Sequence, residues 1–104
     1  MYFLQAIILN FDHSKCYIRI GICKDRLKKY QEAIDYYQKA IELNYEEPEF
    51  CNALIGSCKY DLKKYKEAID YYQKAIELNN KDKNISLYKW MIKKCRNSLK
   101  KDSK

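Results

Sequence analysis

Residues 29–44 read KYQEAIDYYQKAIELN, and residues 64–79 read KYKEAIDYYQKAIELN. One substitution, Gln31 against Lys66, separates two stretches whose starts lie 35 residues apart. In the first, Ala33, Ile34, Tyr37, Ala40 and Ile41 recur at three- and four-residue steps, which puts them on one stripe of an α-helix. The copies extend upstream, since Cys16, Ile20, Gly21, Cys23, Lys24, Leu27 and Lys28 return as Cys51, Ile55, Gly56, Cys58, Lys59, Leu62 and Lys63. Each unit is therefore about two helices long. A fixed period of this length marks a stack of helical hairpins rather than one closed domain.

The pattern resembles the tetratricopeptide repeat family, which runs aromatic, Leu-Gly, then Tyr-x-x-Ala, aromatic and a second Ala. Here the first unit supplies Tyr17, Ile20-Gly21, Tyr30, Ala33, Tyr37 and Ala40, and the second supplies Ile55-Gly56, Tyr65, Ala68, Tyr72 and Ala75. It departs from the family at Asn52, which replaces an aromatic, at Lys24 and Lys59, which replace tyrosines, and in having no proline directly after Asn44 or Asn79. The resemblance implies an all-α solenoid of about six antiparallel helices wound into a right-handed superhelix. It also implies a non-catalytic interaction module or assembly subunit that binds a peptide or helix of a protein partner in its concave groove.

Glycine inside a helix costs about 0.5–1 kcal/mol relative to alanine, so Gly21 and Gly56 need a compensating close approach. The resemblance implies that they nest against Ala33 and Ala68, while Ala40 and Ala75 admit the following repeat. Positions at which the two first helices differ are the candidates for function. Ile18, Ile22, Asp25 and Arg26 share one helix face, as do Ala53, Ser57, Tyr60 and Asp61. The resemblance implies that this face, with Phe50, Ile85 and Tyr88, lines the groove. A clamp for the carboxylate tail of a chaperone is not expected, because Ile18, Ile22 and Leu54 occupy its lysine and asparagine places.

Taken in order, Phe3–Asn10 (FLQAIILN) echoes Tyr37–Asn44 (YQKAIELN), so residues 1–11 read as the second helix of a partial repeat. This half repeat either caps the array or belongs to a longer one; Ile8, where later copies have Glu42 and Glu77, favours a missing neighbour. Residues 12–47 form repeat one. Its first helix is capped by Asp12 or Ser14 and turns Cys16, Ile20, Cys23 and Leu27 to the core, with His13 in the preceding turn. Residues 48–83 form repeat two, opened by Glu46, Glu47 and Pro48, a suitable first-turn composition. Residues 84–104 form a closing helix with Ile85, Tyr88, Ile92, Cys95 and Leu99 on one side and Lys89, Lys93, Arg96 and Lys100 on the other.

The formal charge of +7 is all terminal: residues 1–82 balance, and residues 83–104 hold eight Lys/Arg against Asp102. Nucleic acid or an acidic partner is accordingly the second candidate ligand, held by the basic end. Lysines at a helix C-terminus also simply complement its dipole. The apolar run Ala6–Leu9 is too short to span a bilayer and lacks a basic lead, so no membrane association is expected. Five cysteines without a C-x-x-C spacing read as buried small hydrophobes in a reducing, cytoplasmic setting. No metal or cofactor is expected. With one histidine and no Gly-rich phosphate loop, the chain offers no catalytic constellation.

Overall fold

A computed structural model describes residues 13–102, which form five helices and no strand. They are α1 (His13–Arg26), α2 (Tyr30–Glu42), α3 (Pro48–Asp61), α4 (Tyr65–Leu78) and α5 (Ile85–Asp102). The expected partial helix over residues 1–11 and the expected cap Asp12 lie outside the described residues. Extensive packing joins only sequence neighbours, α1 to α2 through α4 to α5, as stacked hairpins require.

The short links follow from how α1, α2 and α3 end. Lys28 and Lys63 adopt left-handed φ of 62° and 63°. Lys29 N–H then reaches Lys24 O at 2.9 Å and Lys28 N–H reaches Asp25 O at 2.9 Å, and Lys64 and Lys63 repeat the pair on Lys59 and Tyr60. These are Schellman closures, which satisfy the last carbonyls and reverse the chain within three residues. Asn44, with φ 61°, ends α2 in the same way through Tyr45 N–H to Ala40 O. Asparagine tolerates this conformation, whereas the two lysines bear its steric cost.

Each hairpin closes on a ring against a glycine. A methyl group at Gly21 would stand 2.5 Å from Cε1 of Tyr37, and one at Gly56 would stand 3.0 Å from the ring of Tyr72. Tyrosine, rather than the expected Ala33 and Ala68, therefore fills the space above each glycine. The alanines are fully buried all the same, as are Ala40 and Ala75. A second device crosses each hairpin where the family prefers tyrosine: Lys24 pairs with Glu32 at 3.1 Å and Lys59 with Glu67 at 3.0 Å. The lysine stem covers apolar surface while its ammonium meets the acid at the rim. This pairing holds the Glu67 carboxyl below its ordinary range.

Two apolar clusters result. One joins Ile18 of α1, Ile34, Tyr37 and Ala40 of α2, and Cys51, Ile55 and Cys58 of α3. The other joins Ala53 of α3, Ala68, Tyr72 and Ala75 of α4, and Tyr88, Ile92 and Cys95 of α5. The expected core stripe of α1 is corrected: Cys16 and Ile20 are half-buried, Cys23 is exposed and Leu27 is 64% exposed. Their counterparts Cys51, Ile55 and Cys58 are fully buried because α2 covers them, and no described helix stands in that place beside α1. The buried face of α1 is instead Ser14, Ile18 and Gly21. Ser14 thus lies in the first turn, and His13 opens the helix rather than preceding it. Burial of all five cysteines is likewise corrected to three, Cys51, Cys58 and Cys95.

The last helix repeats the others with a shift. Cys51, Ile55, Cys58 and Leu62 correspond to Tyr88, Ile92, Cys95 and Leu99, a step of 37 residues rather than 35. The link before α5 is longer, and Asp82 organises it by accepting the Asn84 N–H at 2.8 Å and the Tyr88 hydroxyl at 3.3 Å. With this step, Asn52, Gly56, Lys59 and Lys63 become Lys89, Lys93, Arg96 and Lys100, all exposed. The face that packs on a partner helix in α1 and α3 is therefore cationic in α5. That face is solvated in the described residues.

Two substitutions test the hairpin. Gly21→Ala gains helix propensity but drives a methyl into a fully buried ring, for a net loss of about 1 kcal/mol or more, and Gly56→Ala should cost less. Thermal unfolding followed by circular dichroism should rank them in that order. In the same assay Lys63→Gly should raise the midpoint, adding about 0.5–1 kcal/mol by removing a left-handed lysine.

A candidate partner-binding cleft

The first helices of successive hairpins lie side by side and leave a cleft of about 330 Å³ between α3 and α5. Phe50, Ala53, Leu54 and Ser57 form one wall; Leu87 and Met91 form the other; Tyr72, Tyr88 and Asn84 complete it. With the 37-residue step, Leu87 and Met91 are the counterparts of Phe50 and Leu54, so equivalent faces of two helices confront each other. Leu87 is 53% exposed and Trp90, one turn on, is 54% exposed. Large apolar side chains left in solvent around a concavity are the usual mark of a contact surface.

Of the residues singled out in the sequence, Phe50, Ala53, Ser57 and Tyr88 line this cleft. Tyr88 does so as its floor: it is 4% exposed and its ring packs 6.1 Å from that of Tyr72. Ile85 is half-buried at the start of α5 and does not line the cleft. Ile18 belongs to the core at 5% exposure, and Ile22 packs against that core. Leu54, Tyr72, Asn84, Leu87 and Met91 were missed, and the signal for the last two was the register of α5. Aligning Cys51, Ile55 and Cys58 with Tyr88, Ile92 and Cys95 places them opposite Phe50 and Leu54.

Asp25, Arg26, Tyr60 and Asp61 lie further along the same helices. Asp25 Oδ2 accepts the Tyr37 hydroxyl at 3.3 Å and the Cys58 thiol at 3.5 Å, so one carboxylate ties α1, α2 and α3 together. Burial, reinforced by Asp25, pushes the Cys58 thiol up to about 12. Tyr60 packs edge-on to Tyr65 at 5.5 Å, and Lys94 Nζ stands 5.1 Å above its ring and 5.0 Å above that of Trp90. The exposed Asp61 carboxyl is raised, first by loss of solvent around it and then by the Asp25 charge, while Lys94 pulls it back. Arg26 is exposed.

The tetratricopeptide repeat profile matches residues 14–44 and 53–82, and the chain belongs to this family. The fold is accordingly its helical-hairpin solenoid, and the general role of such repeats is protein–protein interaction without catalysis. No match to a curated protein was found. Among the described residues no cluster of His, Cys, Asp or Glu has the geometry to hold a metal ion, and no helix is long and apolar enough to cross a membrane.

A carboxyl whose pKa is raised by folding opposes the folded state once it is ionised. Asp61 therefore lowers stability above its folded pKa and has no effect well below its ordinary value of 3.8, where it is protonated in both states. Asp61→Asn should raise the thermal midpoint at pH 7 by a few degrees at most, because an exposed charge is screened. At about pH 3 the variant and the parent should melt together.

Proposed function

We propose that the chain is a non-catalytic interaction module or assembly subunit whose concave cleft holds an apolar side chain of a protein partner. The observation that carries this reading is the cleft between α3 and α5, walled by Phe50, Leu54, Leu87 and Met91 and open to solvent. Desolvating such side chains contributes about 25 cal/mol per Å² of apolar surface, and a central apolar pocket is where binding energy concentrates. Tyr60 and Trp90 extend the apolar surface beyond it. A cytoplasmic setting belongs to the same reading, since free thiols persist in a reducing compartment.

The alternative, nucleic acid or an acidic partner held by the basic last helix, has less support. Lys89, Lys93, Arg96 and Lys100 already have a structural account as the exposed side of α5, with lysines toward its C-terminus complementing the helix dipole. Their charge requires no ligand to explain it.

Selection of binding peptides from a displayed random library separates the two. Leu87→Glu and Met91→Glu place charge in the cleft from positions that are exposed or half-buried, so helical content should stay at its parental value. Together they should weaken selected peptides at least tenfold, whereas Lys93→Glu with Arg96→Glu should change affinity little at physiological salt. Loss of binding in the second pair alone would assign the function to the basic face.

A further inference from the structure

The cleft does not stand alone on the concave face. Asp61 lies one turn beyond Ser57 on α3, about 6 Å further along the helix axis and on the same side. Asp25 reaches the same end of α3 from α1, where its carboxylate accepts the Cys58 thiol at 3.5 Å, and Lys94 reaches it from α5, 5.1 Å above the ring of Tyr60. Among the described residues neither carboxylate has an ion-pair partner. Lys94 is drawn instead over the rings of Tyr60 and Trp90, and its pull on Asp61 is outweighed by lost solvent and by Asp25. An apolar cleft thus adjoins two acids that have no ion-pair partner among the described residues.

We propose that cleft and acids form one binding site for an extended segment of a protein partner, with a large apolar side chain between Ser57 and Met91, at the end of the cleft nearer the acids, and a lysine or arginine two residues away at Asp61 and Asp25. The spacing follows from the chain itself. An extended strand advances about 3.3 Å per residue and points alternate side chains to one face, so two residues span the turn from Ser57 to Asp61. The cation supplies the missing counter-charge and a charge-assisted hydrogen bond, while the apolar residue supplies desolvation. The partner is therefore basic at this point. The site rests on the groove reading above and adds the sign and position of the charge.

The test uses the whole chain and a library of blocked octapeptides with one fixed leucine and randomised neighbours. Lysine and arginine should be enriched two positions from the leucine on one side. Individual peptides with lysine at that place should bind about tenfold more tightly than those with glutamate. Asp61→Lys should reverse the preference to glutamate and aspartate, with circular dichroism unchanged because Asp61 is exposed. Selection of the leucine with no charge preference, or a lysine preference that survives Asp61→Lys, would overturn the proposal while leaving the groove reading intact. Absence of binding by any library member would overturn both.

Discussion

The ring of Tyr37 lies so close to Gly21 that a single methyl group would stand 2.5 Å from it, and Tyr72 sits above Gly56 in the same way. This contact sets the approach of the two helices in each hairpin. A mid-helix glycine is unfavourable by about 0.5–1 kcal/mol, and burial of a whole tyrosine ring against the bare backbone more than offsets it. The ring then makes a demand of its own, because a buried hydroxyl must find a partner. Tyr37 meets that demand at Asp25, which also accepts the Cys58 thiol of the next repeat. A packing constraint inside one hairpin thereby becomes a polar tie between two.

The character of α5 depends on a shift of two residues. Had α5 kept the period of 35, Met91 would occupy the glycine position and Trp90 would face inward. The longer link around Asp82 moves the helix on by two, so Lys93 takes the glycine position. The same shift turns Leu87, Trp90 and Met91 toward the concave side, and Leu87 and Met91 thereby build one wall of the cleft.

The fold was legible because its signal is redundant: identical second helices, paired glycines and matching alanines each imply the same two-helix unit. Helix limits were legible for the same reason, with proline and acids at the start of α3. The open side of α1 was not, because Cys16, Ile20, Cys23 and Leu27 carry the same residues as Cys51, Ile55, Cys58 and Leu62 and differ only in what stands over them. Periodicity reports which face is apolar, not whether a neighbour covers it. The glycine contact was misplaced by one turn, since Ala33 and Tyr37 share a stripe and spacing alone cannot say which lies above Gly21. The candidate cleft was more legible along α3 than along α5, where the expected Tyr88 forms its floor, the expected Ile85 stands apart, and the wall residues Leu87 and Met91 depended on the register of the helix.

The differences between the repeats are also not all of one kind. Asp25 in repeat one becomes Tyr60 in repeat two, which removes the acceptor that serves Tyr37 and would leave Tyr72 without its counterpart. At the same time Ile22 becomes Ser57, and Tyr72 hydrogen-bonds with Ser57. Two substitutions that look like variation in a binding surface thus form one exchange of partners for the same buried hydroxyl. The exchange also places Tyr60 against Tyr65 and the second apolar cluster, beside Lys94. Arg19 to Leu54 and Arg26 to Asp61 are the replacements that remove positive charge. They convert a cationic face on α1 into an apolar and acidic one on α3, and it is there that the cleft adjoins carboxylates without an ion-pair partner among the described residues.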